Sequence, residues 1–121
     1  MPDAAATAPA PADAEAALSF LTQMSPDLRG GAILTADGTV LAASSEAAEW
    51  ATEAVALLNI ADAAGEEPVE QVHVATQAGE VFALRNEGFA AVVVTDRFAL
   101  SSLVFFDMRS ALRRLAHGGE A

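Results

Sequence analysis

Two histidines, two serine pairs and a group of glutamates are the residues of this chain whose types invite a chemical reading. His73 alternates with Val72 and Val74 at strand spacing, so it faces away from them, on the side of Gln71 and Ala75. Should that strand pair with another copy, His73 makes association weakly sensitive to pH; an ordinary exposed strand residue shows the same pattern. His117 follows Arg113 and Arg114 at a predicted helix end, where cations meet the negative pole of the helix dipole. Ser44-Ser45 and Ser101-Ser102 have no G-x-S-x-G elbow around them and no base at a motif-defined place, and helix capping accounts for both pairs. Glu66, Glu67 and Glu70 lie close together but lack calcium-loop spacing. With no cysteine, the chain has no thiolate nucleophile, thiolate metal site or disulfide. It also lacks both the Walker A and the G-x-G-x-x-G phosphate loops. The expectation is a non-enzymatic protein with no cofactor and no metal.

The elements that would position these residues follow from periodicity and punctuation. Residues 1–12, built from Ala, Pro, Asp and Thr, read as a disordered leader, residues 13–117 as one domain and residues 118–121 as a tail. Asp13 is placed to cap a first helix with Glu15 in its first turn and Ala17, Leu18, Leu21 and Met24 on one face. Ser25-Pro26 ends it. Gly31–Ala36 and Thr39–Ala43 flank Asp37-Gly38, a tight-hairpin signal, with Gly30-Gly31 opening the first of these strands. Ser44 or Ser45 would cap a middle helix over Glu46–Ala64, stopped by Gly65. Val69–Gln77, Glu80–Asn86 and Gly88–Thr95 read as a three-strand meander. A last helix starting near Ser101 or Ser102 carries Val104, Phe105, Met108, Leu112 and Leu115 as one buried stripe. The order α-β-β-α-β-β-β-α implies an α+β fold with a five-stranded antiparallel sheet.

Composition bounds the class of partner. The 121 residues suit one core, and 53% are hydrophobic, enough to fill it. A formal net charge of −11, with six basic residues, all arginine, disfavours nucleic acid and anionic membrane surfaces. No apolar run reaches the roughly 18 residues of a membrane span, and no secretory signal opens the chain, so a cytoplasmic place without membrane insertion is expected.

The middle helix is apolar over too much of its circumference for one neighbour. On a helical wheel, Ala47, Ala51, Ala54, Val55, Leu58 and Ala61 gather on a sheet-facing side. Trp50, Leu57 and Ile60 point elsewhere, among Glu46, Glu49 and Glu53. A helix apolar nearly all round is normally buried nearly all round. If the first and last helices share the opposite side of the sheet, only another chain remains to cover that second group, and an aromatic ringed by acids has the composition of an interface core and rim. The plainer alternative is that Trp50 caps the core edge and the alanines serve helix propensity.

This element order, with Gly31-Ala32-Ile33-Leu34-Thr35-Ala36-Asp37-Gly38-Thr39-Val40-Leu41-Ala42, resembles the roadblock family of dynein light chains and their bacterial GTPase-partner relatives, over about residues 14 to 116. The resemblance implies a roadblock/profilin-like fold and a homodimer in which Glu46–Ala64 packs on its symmetry mate and Val69–Thr76 pairs edge to edge. The candidate interface is then Glu46, Glu49, Trp50, Glu53, Leu57, Ile60, Val72, His73 and Val74. It also implies a small Ras-like GTPase as partner. Arg97 could in principle act as an arginine finger there, but a loop leading into the last helix explains Asp96-Arg97 more simply. Profilin-like and longin-like sensor folds have similar element orders, so a small-ligand sensor with a pocket between sheet and helix is the alternative.

Overall fold

A computed structural model describes residues 11–44, 51–65 and 69–117, so the predicted leader up to residue 10, the tail, Ser45, Glu46, Glu49, Trp50, Glu66 and Glu67 lie outside the described residues. The elements are α1 (Pro11–Met24), β1 (Leu28–Thr35), β2 (Val40–Ala43), α2 (Ala51–Ala64), β3 (Gln71–Ala75), β4 (Glu80–Asn86), β5 (Phe89–Thr95) and α3 (Ser101–Ala116). The five strands form one sheet in the order β2-β1-β5-β4-β3, every pairing antiparallel. The α+β order is as the sequence predicts.

Strand alternation splits the core into two layers. Ile33, Phe82, Leu84, Ala91 and Val93 point to one face, where they pack with Ala14, Ala17 and Leu21 of α1 and with Val104, Phe105, Met108, Leu112 and Leu115 of α3. Ala32, Leu34, Ala83, Ala90 and Val92 point to the other, under Ala51, Ala54, Val55 and Leu58 of α2. The second layer is rich in alanine on both sides, which lets α2 lie close to the sheet. β5 is buried on both faces because it is the central strand, hence its unbroken run Ala-Ala-Val-Val-Val.

Several boundaries differ from the sequence expectation for identifiable reasons. α1 begins at Pro11, two residues before Asp13, since proline is compatible with a first helical turn. Met24 is half exposed while Ala14 is buried, so the buried stripe of α1 runs through Ala14, Ala17 and Leu21 and leaves Met24 out. β1 starts at Leu28, so Gly30-Gly31 lie inside it, paired with Val94 and Val93. Neither serine pair caps a helix through a described side chain. Ser44 uses its hydroxyl on Gly31, accepting from the amide at 3.0 Å, and the N-cap of α3 is Leu100 with no side-chain cap.

The first hairpin turns through Asp37-Gly38, but only Gly38 takes a positive φ, 102°. The Asp37 carboxylate accepts from the Thr35 hydroxyl and from the Thr39 amide and hydroxyl, each of the latter at 3.2 Å. These bonds, Thr35 first, hold its carboxyl below the usual carboxylate range.

Gly79, between β3 and β4, is required by close approach. A Cβ there would lie 2.5 Å from the Thr95 carbonyl oxygen and 2.6 Å from Arg29 Nη2. Arg29 can yield, the backbone of β5 cannot. Gly79→Ala is expected to cost about 1–3 kcal/mol, the range for overpacking, read as a lower urea midpoint at unchanged slope.

Candidate interaction surface

With α1 and α3 together on one face, α2 is the only described helix on the other, and its outward side is bare among the described residues. Glu53, Leu57 and Ile60 recur at i, i+4 and i+7 on that side, with Leu57 44% and Ile60 65% exposed. Beside them runs β3, the last strand of the sheet, whose outer edge pairs with no described strand. Alternation turns Val72 and Val74 toward α2 and His73 the other way. Val72 is partly buried against the α2 core, so it supports the surface more than it lines it. Val74 is 39% exposed. Between helix and edge lies an open, almost wholly apolar groove of about 320 Å³, lined by Glu53, Ala54, Leu57, Val74 and Val81. Of the predicted interface residues, the structure thus brings Glu53, Leu57 and Val74 together, places Ile60 on the next turn of the same side and sets His73 on the opposite face. Glu46, Glu49 and Trp50 lie outside the described residues.

The later half of α2 is tied to β4 and to the segment before β3 by a polar clamp that sequence reasoning missed. Arg85 of β4 donates through Nη2 to Asp62 at 2.6 Å, through Nη1 to Asn59 at 3.1 Å and through Nε to the Val69 carbonyl at 3.1 Å. Asp62 also accepts from the Val69 amide. The Arg85 bond first, then the Val69 amide, hold the Asp62 carboxyl below its usual range. An arginine fork suits this joint because its donors are fixed in a plane. The signal in the sequence was an arginine interrupting the apolar run of β4, but its partners are 16 to 26 residues away.

His73 has a defined role on the other face. Its ring stacks on Phe82, centroids 4.3 Å apart and 8° from parallel, and its Nε2 meets Glu80 Oε1 at 2.5 Å. The second oxygen of buried Glu80 accepts from the Phe98 amide. The edge strand is thereby tied to the loop before α3. The His73 bond first, with help from the Phe98 amide, holds the Glu80 carboxyl below its ordinary 4.5. A lowered carboxylate pKa contributes stability that is present above the ordinary value and lost as pH falls through the folded-state value. Glu80→Gln is therefore expected to be less stable than the parent at about pH 7, and the gap between their urea midpoints should close as pH falls toward about 3. A gap independent of pH would show that the charge on Glu80 contributes nothing.

Arg97 stands over the Phe98 ring, 4.6 Å from its centroid, on the loop leading to α3. Among the described residues no group of three or more His, Asp or Glu is arranged to hold a metal ion. No described helix is long and apolar enough to cross a membrane.

A Roadblock/LC7 domain from Streptomyces avermitilis superposes with a TM-score of 0.74 at 21% identity, over 84% of this chain and 93% of its own. The gliding protein MglB from Thermus thermophilus gives a TM-score of 0.74 at 17% identity, over 89% of this chain and 90% of its own. The chain has the roadblock fold. A chain of the LokiProfilin1 complex with rabbit actin superposes with a TM-score of 0.66 at 15% identity, over 91% of this chain and 98% of its own. The roadblock fold is in this respect profilin-like. By sequence, no family model and no curated protein matches the chain.

Proposed function

We propose that this chain is a homodimeric, non-catalytic adaptor or regulator of a small Ras-like GTPase, acting in the cytoplasm through the α2–β3 surface. The observation that carries the proposal is the apolar groove of Glu53, Ala54, Leu57, Val74 and Val81 lying against a sheet edge that no described strand pairs. An exposed edge beside an apolar face is a template for pairing with another chain. A two-fold axis at β3 would extend the sheet and bring both α2 helices together on one side. The GTPase rests on the roadblock resemblance together with the fold. For a small-ligand sensor, the interior between sheet and helix would have to be open. Leu58 and Phe82, on the two faces of the sheet, are both fully buried, and the groove opens outward, as a protein contact requires.

The test is retention of small GTPases from the source cell on the immobilised full chain, with GTP analogue or GDP held in excess. A Ras-like GTPase retained in one nucleotide state, and lost with Ile60→Glu, supports the proposal. Retention of none in either state contradicts it. GTP hydrolysis by the chain alone should stay at background.

A further inference from the structure

The outer side of α3 combines exposed apolar residues with basic ones. Leu100, Leu103 and Phe106 follow one another at a spacing of three and are each at least half exposed. The same side continues through Ser110, Arg113 and His117. Leu103, Phe106, Ser110, Arg113 and His117 keep the alternating three-and-four spacing of a helix-pairing seam. Over 16 residues that seam is about 24 Å long. Four of the six arginines, Arg97, Arg109, Arg113 and Arg114, lie on α3 or the loop before it. The one acid of the helix, Asp107, is turned inward and accepts from Ser25 at 2.7 Å. In a chain of net charge −11, this helix is apolar at its start and basic toward its end.

Phe98 adds an independent observation. It is 84% exposed and has φ 67°, a conformation costly for a bulky residue. The Glu80 carboxylate on its amide and the Arg97 guanidinium over its ring hold it there. The fold thus holds an aromatic ring in water at positive φ, two residues before Leu100.

We propose that the outer side of α3 docks an acidic amphipathic helix of a partner protein. Apolar residues of that helix cover Phe98, Leu103 and Phe106, and its carboxylates meet Arg113 and the remaining donors of Arg109, whose Nη2 donates to Gln71 of β3. The spacing selects a helix and the arginines select acids. This surface lies on the opposite face of the sheet from α2, so both can be occupied at once.

The test is a selection of phage-displayed peptides of about 16 residues on the full chain, with depletion on Phe106→Ser. Enriched peptides should combine Asp and Glu with apolar residues at i, i+3 or i+4, and i+7, and gain helicity when bound. Their affinity should fall about thirtyfold on Phe106→Ser or Leu103→Ser, the size of an interface hot spot. It should fall about tenfold on Arg109→Gln with Arg113→Gln, and fall further with salt. A selection that enriches nothing, peptides without acids, or binding untouched by both serine variants overturns the proposal. So does a lower oligomeric mass on Phe106→Ser, which would make a second copy the occupant, or tighter binding to vesicles of anionic lipid than to any peptide.

Discussion

On the proposed pairing through α2 and β3, Leu57→Glu is expected to yield a monomer while leaving the fold intact. Leu57 is nearly half exposed in the single chain, so a carboxylate there meets water and costs the isolated domain little, within about 0.5 kcal/mol. In the pair, one new carboxylate per copy enters the same apolar groove beside Glu53. Each must lose hydration without a cation to meet it, since no arginine lines the groove among the described residues. The dissociation constant should rise about a hundredfold or more, equivalent to about 3 kcal/mol. Ile60→Glu should act in the same direction. Sedimentation velocity across a concentration series reads the effect, and the thermal midpoint separates it from unfolding. A variant that stays paired would remove Leu57 from the interface.

Phe82→Ala is expected to have the largest effect on stability, about 3–5 kcal/mol. Phe82 is fully buried in the layer under α3, stacked on His73 and edge-on to Phe105 at 5.3 Å. The cavity cannot collapse easily, because Leu84 and Val93 on the neighbouring positions are held by the sheet register. Against the 5–15 kcal/mol that hold a typical domain together, this loss should lower the thermal midpoint by roughly 10–20 °C. His73 would lose its stacking surface, so the β3 edge should also fray, visible as faster amide exchange over Gln71–Ala75 than elsewhere in the sheet. Calorimetry with hydrogen exchange checks both parts. Uniform loss of protection would mean that the stack does not specifically hold the edge.

The main lines of this fold were legible because they rest on period and punctuation. The buried stripe of α3 from Val104 to Leu115 follows the helical repeat, and β4 spans Glu80–Asn86 in both sequence and structure. The sharing of one sheet face by α1 and α3, on which the interface argument depended, also holds. What was not legible depends on contacts distant in sequence. Nothing local in Arg85 tells of Asp62 and Asn59, and nothing local in Glu80 tells of Phe98, since each partnership exists only after the sheet register is set. The cap of α3 falls on Leu100 and not on a serine, while the Ser45 alternative for the middle helix lies outside the described residues. Ser44 had a capping residue's composition but found Gly31 across the hairpin. At the candidate surface, the wheel of the middle helix placed Leu57 and Ile60 outward, and they are outward. Val72 was set at the interface by the resemblance, as part of the pairing strand, and α2 over the sheet buries it partly.

The most direct test of the central claim is the mass of the purified chain by light scattering as concentration rises to tens of micromolar. Pairing through α2 and β3 predicts twice the chain's 12.4 kDa, returning to a single chain on Leu57→Glu. A parent protein that remains at the mass of one chain throughout that range would contradict it.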